Sequence, residues 1–336
     1  MLGSINFSLL LLLLCLMAIV AGLRESGLFT FIYRHVFHGE ISSRSLGRFF
    51  IFSCFFSSMI ITNDVALIIF VPLAVTILTE TRCARLLIPV VTWQTIAANM
   101  GSMLTPIGNP QNLFIYSNFQ LDIVTFLSYT APTVIISGIV IYIFTFLLHD
   151  KRISLKNEEQ IELKKIELIS LLILFTFCLM NVLRVMPTWL MAIVIIPSLL
   201  LKAPRLLMAA DFKLLLLFLF LFIGVGNLTR IPEVSRWATE LLQGHEFFVS
   251  LILSQFLSNV PTTVMLSPYT AEAKALLLGV NIGGLGTIIA SMASIISFKA
   301  YISTRHSSAK NYLLIFTVDN LGLLILLLIL YLMLSN

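Results

Sequence analysis

Apolar runs alternate with short polar stretches along the whole chain. The runs at 5–23, 131–148, 166–183, 187–201, 214–228 and 318–334 match or approach the about 20 residues that a helix needs to cross a bilayer. Between them the pattern changes. Residues 49–61 and 65–78 are apolar limbs of about 13 residues each, short for single crossings, and Thr62-Asn63-Asp64 separates them. This predicts a re-entrant helical hairpin over 49–78 with the three polar residues at its tip. The helix that starts at residue 86 then meets Gly101-Ser102, Thr105-Pro106, Gly108-Asn109-Pro110 and Asn112, which predicts a discontinuous transmembrane helix over 86–118. The same order returns downstream. A hairpin is predicted over 247–270 around Ser258, Asn259, Thr262 and Thr263, and a broken helix over 275–299 around Asn281, Gly283, Gly284 and Thr287. Stretches 24–48, 119–130, 229–246 and 304–317 mix charge with apolar residues and read as interfacial.

The predicted fold class is therefore an all-α polytopic membrane protein with two inverted repeats, each holding a re-entrant helical hairpin and a discontinuous transmembrane helix. The first repeat is 1–148, a cytoplasmic linker is 149–165, and the second, inverted repeat is 166–336. The spans 166–183 and 187–201 have no counterpart in the first repeat. Non-helical backbone at membrane depth is tolerated only when buried in protein or lining a cavity, and broken helices in matching halves point to a binding site.

Composition agrees with a lipid-embedded chain. Of 336 residues, 59% are hydrophobic and 11% charged, and the mean hydropathy is +1.02, values beyond what a soluble core requires. The run 5–23 lacks a basic leader and an A-x-A site and is followed by Arg24-Glu25, so it reads as a retained span. Cys15, Cys54, Cys83 and Cys178 are scattered, without the spacing of a disulfide framework or a metal site. The net charge of +5 does not call for nucleic acid, because the layout puts every Lys and Arg except Arg184, Arg230, Arg236 and Lys274 on one side. That side is the cytoplasmic one by the positive-inside rule. The first hairpin then enters from the cytoplasm and the second from outside.

Thr62-Asn63-Asp64-Val65-Ala66, Gly101-Ser102 with Thr105 to Asn112, Ser258-Asn259-Val260-Pro261-Thr262-Thr263 and Asn281-Ile282-Gly283-Gly284 occur in that order. Together they resemble the anion permeases of the ion transporter superfamily. That group includes citrate and dicarboxylate carriers, arsenite permeases, a sodium/proton antiporter branch and an uncharacterised bacterial inner-membrane permease branch. The resemblance covers nearly the whole chain. It implies a multi-pass secondary active transporter of the bacterial inner membrane that carries a small anion, a homodimer, and elevator-type movement of the hairpin domain. It also implies coupling to H+ or Na+ at the tips, with Thr62, Asn63, Asp64, Ser258 and Asn259 as the Na+ site if sodium is used. No cofactor or other metal is expected, and the partners are the substrate and the lipid bilayer. Asp64 and Val260 stand where the dicarboxylate carriers have threonine, which brings the tips nearer to the arsenite and sodium/proton branches.

A carboxylate at the bilayer centre costs from roughly 2.5 to over 10 kcal/mol, so Asp64 reads as a cation ligand or proton carrier facing a cavity; as a plain alternative it caps the second limb. Thr105, Gly108, Asn109 and Asn112 either line a ligand loop or satisfy the backbone of a Pro-broken helix. Ser258, Asn259, Thr262 and Thr263 either bind or glue helices, and Gly283 and Gly284 either shape a loop or allow close packing. Asp319 reads as a structural acid at the start of the last span. No H-E-x-x-H or G-x-S-x-G occurs and no catalytic constellation is visible, so an intramembrane enzyme is the disfavoured reading. An arsenite-type efflux permease or a Na+/H+ antiporter stays open as an alternative.

Overall fold

The computed structural model describes residues 5–28, 31–32, 39–155, 164–304 and 307–335. Arg34, part of the 24–48 stretch, lies outside them, as do residues 156–163 of the 149–165 linker and Arg305. In chain order the elements are α1 (Phe7–Glu25), β1 (Gly39–Ser42), α2 (Ser43–Ile61), α3 (Asn63–Glu80), α4 (Leu87–Ser102), α5 (Pro110–Asn118), α6 (Ile123–Phe144) and β2 (Arg152–Leu155). There follow α7 (Lys165–Val182), α8 (Thr188–Lys202), α9 (Pro204–Met208), α10 (Phe212–Leu228), α11 (Pro232–Leu242), α12 (Glu246–Leu257), α13 (Asn259–Leu266), α14 (Ala273–Ile282), α15 (Met292–Ile302) and α16 (Ala309–Ser335). The protein is an all-α polytopic membrane protein, with one short antiparallel ribbon among the described residues, β1 against β2, which pairs Gly39 with Leu155 and Ser42 with Arg152. Among the described residues, six helices are long and apolar enough to cross a membrane, or seven if the pair α10 and α11, bent by 104°, is counted as one broken span.

Three boundaries differ from the sequence reading, each for a local reason. The limb before Thr62 begins at Ser43, because Ser42 accepts from the Ser45 N–H and caps it. Arg44 and Arg48 therefore lie on α2 rather than in an interfacial stretch. Their heads are accommodated, with Arg44 Nε on the Leu148 carbonyl at 3.0 Å and Arg48 Nε on Thr145 Oγ1 at 3.0 Å. At 19 and 18 residues, α2 and α3 are also longer than their apolar cores suggested. Asp122 caps α6 by accepting from Thr125 N, so helix replaces the interfacial segment expected over 119–130. The last helix begins at Ala309, which puts Asp319 in its third turn instead of at its start. There the Trp93 indole N–H donates to Asp319 Oδ2 at 2.9 Å.

Two compact units are present, and each draws on both sequence halves. One comprises residues 1–37 and 157–238, the other 38–156 and 239–336. In the first, α1 packs against α7, α8, α9 and α10, burying Cys15, Ala18, Ile19 and Met191. In the second, α4 is the axis. It is buried along most of its length, including Thr92, Gln94, Thr95, Asn99 and Ser102, and α2, α3, α6, α15 and α16 pack around it. A helix so surrounded can carry polar side chains through a membrane because protein, not lipid, meets them. At the end of β1 the Ser42 hydroxyl donates to the Asp150 carboxylate, holding that acid below the usual carboxylate range.

Candidate functional site

All the residues singled out at the two tips and the two broken helices fall in the second unit. Each tip is a single residue between two helices. Thr62 joins α2 to α3 with φ 74° and ψ 150°, and Ser258 joins α12 to α13 with φ 71° and ψ 157°. That region of backbone space is almost confined to glycine, and a side chain held there costs about 1–3 kcal/mol. Neither hydroxyl caps its helix. Instead the next residue acts: Asn63 Oδ1 accepts from Asp64 N, and Asn259 Oδ1 accepts from Val260 N, both at 2.9 Å. Two distant segments thus adopt one conformation fixed by one Asn-to-backbone bond. Thr62 Oγ1 and Asn259 Nδ2 donate to no described residue, while Asp64 is half-buried in the first turn of α3.

The breaks in the other pair of helices are cross-linked. Asn99, in the last turn of α4, accepts at Oδ1 from Ser291, the N-cap residue of α15, at 3.1 Å. Asn281, in the last turn of α14, accepts at Oδ1 from Asn109, the N-cap residue of α5, also at 3.1 Å. Each asparagine therefore holds the continuation of the other's helix. The spacing from Asn99 to Asn109 equals that from Asn281 to Ser291. Close backbone approaches recur in the same register: a Cβ at Gly101 would lie 2.0 Å from the Phe55 carbonyl oxygen, and one at Gly283 2.9 Å from that of Leu251. Phe55 and Leu251 stand equally far before Thr62 and Ser258.

The tips join this network. Asn63 Nδ2 donates to Asn99 Oδ1 at 3.1 Å, and Asn99 Nδ2 reaches the Gly284 carbonyl at 3.5 Å. Gly284 in turn lies against Asn259, whose Nδ2 would be 3.4 Å from a Cβ placed there. Asn63, Asn99 and Gly284 so form a hydrogen-bonded chain that starts at the first tip and ends beside Asn259 of the second. Its asparagines are at most 5% exposed, so each missing partner would be costly.

Other candidates are occupied with backbone. Asn112 donates to the carbonyls of Ser102, Met103 and Thr105, satisfying the end of α4, and it accepts from Asn281 Nδ2 at 2.7 Å. Thr105 donates to the Met59 carbonyl and Thr263 to that of Asn259. A Cβ at Gly108 would strike the Ser102 carbonyl oxygen at 2.0 Å. Thr287 is exposed and held by Gln255, whose amide also binds the Gly283 and Leu285 carbonyls. Thr262 is fully buried, and its hydroxyl has no partner among the described residues.

Asn99, Gln255 and Ser291 escaped the sequence reading of the site, and Ser102 entered it only as part of the break. A signal for the first was present: Asn99-Met100-Gly101-Ser102 parallels Asn281-Ile282-Gly283-Gly284.

Comparison with known proteins places this geometry. Residues 1–276 match the citrate transporter family. The inner membrane protein YbiR of Escherichia coli is 31% identical over 88% of this chain and 80% of its own. An uncharacterized transporter of Methanocaldococcus jannaschii is 33% identical over 74% of this chain and 69% of its own. A 46 kDa membrane protein of Mycobacterium leprae is 26% identical, covering 87% and 78%.

Proposed function

The chain belongs to the citrate transporter family and is a membrane transporter, and from that premise we propose that it is a secondary active transporter. Its substrate is a small anion, moved across the inner membrane with H+ or Na+ as the coupling ion. The observation that carries this reading is the reciprocal pair Asn99 to Ser291 and Asn281 to Asn109. Such an exchange supports two repeats of inverted topology with one site at their interface, the arrangement in which half-helix ends bind substrate and coupling ion.

The two tips divide the labour. The N-cap hydroxyls of Thr62 and Ser258 make no cap hydrogen bond to α3 and α13, and a helix N-terminus carries partial positive charge suited to an anion. Asp64 occupies the first turn of α3 where Val260 occupies that of α13. The carboxylate offsets the dipole at the first tip, so that tip takes the cation with Thr62 and Asn63, and the second takes the anion with Ser258, Asn259 and the Gly283 to Thr287 loop. Movement of this second unit as a body, an elevator, carries both ligands together.

Uptake and efflux in vesicles loaded with carboxylates, sulfate, phosphate or arsenite, with proton and sodium gradients imposed separately, test the reading. Gradient-driven accumulation of a carboxylate is the expected result. Arsenite efflux, or exchange of Na+ for H+ with no anion moved, assigns the protein to the arsenite or antiporter reading instead, a choice that Asp64 keeps in play.

A further inference from the structure

One acid in the second unit has no part in the two tips. Asp319 is half-buried in the third turn of α16, about 15 Å from the start of a helix about 40 Å long, which puts it near the bilayer centre. Its one partner among the described residues is the Trp93 indole of α4, which donates to Oδ2 at 2.9 Å and is held by stacking on Phe144 at 3.9 Å. α4, α6 and α14 pack on α16, as do Phe298 and Tyr301 of α15 and Phe247 of α12 through ring contacts. α4 carries no titratable side chain. Of those on the other helices and on α16 itself, Lys299 and Lys310 lie at the cytoplasmic ends, Glu246 and Lys274 at the opposite ends, and the rest are the phenols of Tyr129, Tyr142, Tyr301, Tyr312 and Tyr331. None of them forms an ion pair with Asp319 among the described residues. Charge at this depth is costly, and one indole bond offsets only part of the cost. A neutral carboxyl avoids it.

The same face of α16 leads from Asp319 toward the cytoplasm. Tyr312, Phe316 and Asn320 share that face by their spacing, and the Tyr312 hydroxyl lies beside those of Thr92 and Thr95 on α4. Thr92 Oγ1, the Tyr312 hydroxyl and Asn320 Oδ1 belong to fully buried side chains, yet none closes a hydrogen bond among the described residues. Polar atoms buried so deeply are satisfied by ordered water where protein supplies nothing. Tyr312 stands in the first turn of α16, two residues past Lys310.

We propose that Asp319 is a proton-binding site within the membrane, loaded from the cytoplasmic end through the hydroxyls of Tyr312 and Thr92 and the water they hold. The ligand is H+ and not a metal cation, because one carboxyl without further side-chain oxygens offers too few ligands for sodium, whereas a proton needs only one. Binding neutralises the oxygen that Trp93 leaves free; release restores the carboxylate and strengthens the indole bond. A purely structural partner for Trp93 would not need to be an acid, since an amide or hydroxyl accepts from an indole as well. In the transporter reading, on which this consequence rests, H+ is an ion that the second unit carries at Asp319, apart from the ion that Asp64 holds at the first tip.

The test uses the full chain in oriented lipid vesicles and reads proton binding, not transport. Dicyclohexylcarbodiimide, an apolar reagent that modifies protonated carboxyls in membranes, should label Asp319 at neutral pH, as located by peptide mass spectrometry, and labelling should fall as the pH rises. Trp93 gives a second signal once Trp189 and Trp237, which are 63% and 64% exposed and lie in the other unit, are replaced by phenylalanine. Its emission should shift in one step with pH, and Asp319→Asn, which keeps an acceptor for the indole, should abolish that step. After a pH jump on the cytoplasmic face, Tyr312→Phe and Thr92→Val should each slow the shift roughly tenfold, the effect of one hydrogen bond lost from the path. No adduct at Asp319, or a step that persists in Asp319→Asn, overturns the proton site, and parental kinetics in both hydroxyl variants overturn the cytoplasmic route. Absence of anion transport by the parent would instead defeat the transporter reading and leave both signals in place.

Discussion

Asn63 Nδ2 donates to Asn99 Oδ1 at 3.1 Å, and the Ser291 hydroxyl donates to the same oxygen. One buried amide therefore ties the first tip to the second broken helix. Asn99→Ala would strand both donors, and a buried group left unmade costs about 1–3 kcal/mol. Thermal unfolding in detergent should show that loss, and vesicle uptake should fall to background. Asn63→Ala and Asn259→Ala should also abolish uptake while expression stays near that of the parent. A variant at either tip that transports at the parental rate would reduce that tip to a structural turn.

Relief of backbone strain gives an opposite pattern. Thr62→Gly and Ser258→Gly place at φ 74° and 71° the one residue that tolerates such angles, so each should raise stability by about 1 kcal/mol. Loss of the hydroxyls should nevertheless slow transport. Higher unfolding temperature with lower uptake is the expected pair of results; lower stability in both variants would mean that the hydroxyls support the fold.

Asp64 separates coupling from packing. Asp64→Asn is permanently neutral and similar in shape, so it should allow substrate exchange but lose accumulation against a gradient, because an ionised and unneutralised acid resists crossing lipid whereas an amide does not. Asp64→Ala should impair both. Retention of the parental pH and sodium dependence in the Asn variant would move the coupling site to Ser258 and Asn259.

Gly101→Ala should destabilise by about 3 kcal/mol, since the added Cβ would meet the Phe55 carbonyl oxygen at 2.0 Å and backbone must shift. Gly224, with nothing within 4 Å, is the control. Gly224→Ala should be neutral or stabilising by about 0.5–1 kcal/mol, as for glycine in a helix interior. Equal effects of the two substitutions would contradict the close packing of α2 on α4.

Topology is open to single cysteines in a background lacking the four native ones. Labels at Asp150 should be reached only from the cytoplasm and labels at Gln243 only from outside, as the distribution of Lys and Arg requires. Reaction of both from one side would remove the inverted arrangement.

Much of this architecture is legible from periodicity because lipid enforces it. An apolar run such as 166–183 has few alternatives to a span, and α7 follows it within a residue. Prolines and glycines marked both breaks for the same reason: backbone that cannot continue a helix shows itself in residue type. Helix starts at Ser43 and Ala309 were hidden, since charged Arg44, Arg48 and Lys310 look like loop until partners such as the Leu148 carbonyl are known. Asn99 was marked only by its parallel with Asn281, for a different cause. It sits in a regular helix without Pro or Gly beside it on the N-terminal side, and its importance comes from contacts with residues far along the chain. The strand pairing of 39–42 with 152–155 is equally non-local.

That non-locality sets a timetable for biogenesis. Asn99 meets Gly284 and Ser291 across 185 and 192 residues of sequence. At a synthesis rate of about 5–20 residues per second, α4 must wait on the order of 10–40 s for those partners. During that interval a helix bearing Thr92, Gln94, Thr95 and Asn99 has no protein covering from α15 or α16. The nascent chain must therefore be kept near the insertion machinery, and a ribosome stalled before residue 291 releases an intermediate with an open polar seam, a natural substrate for membrane proteases.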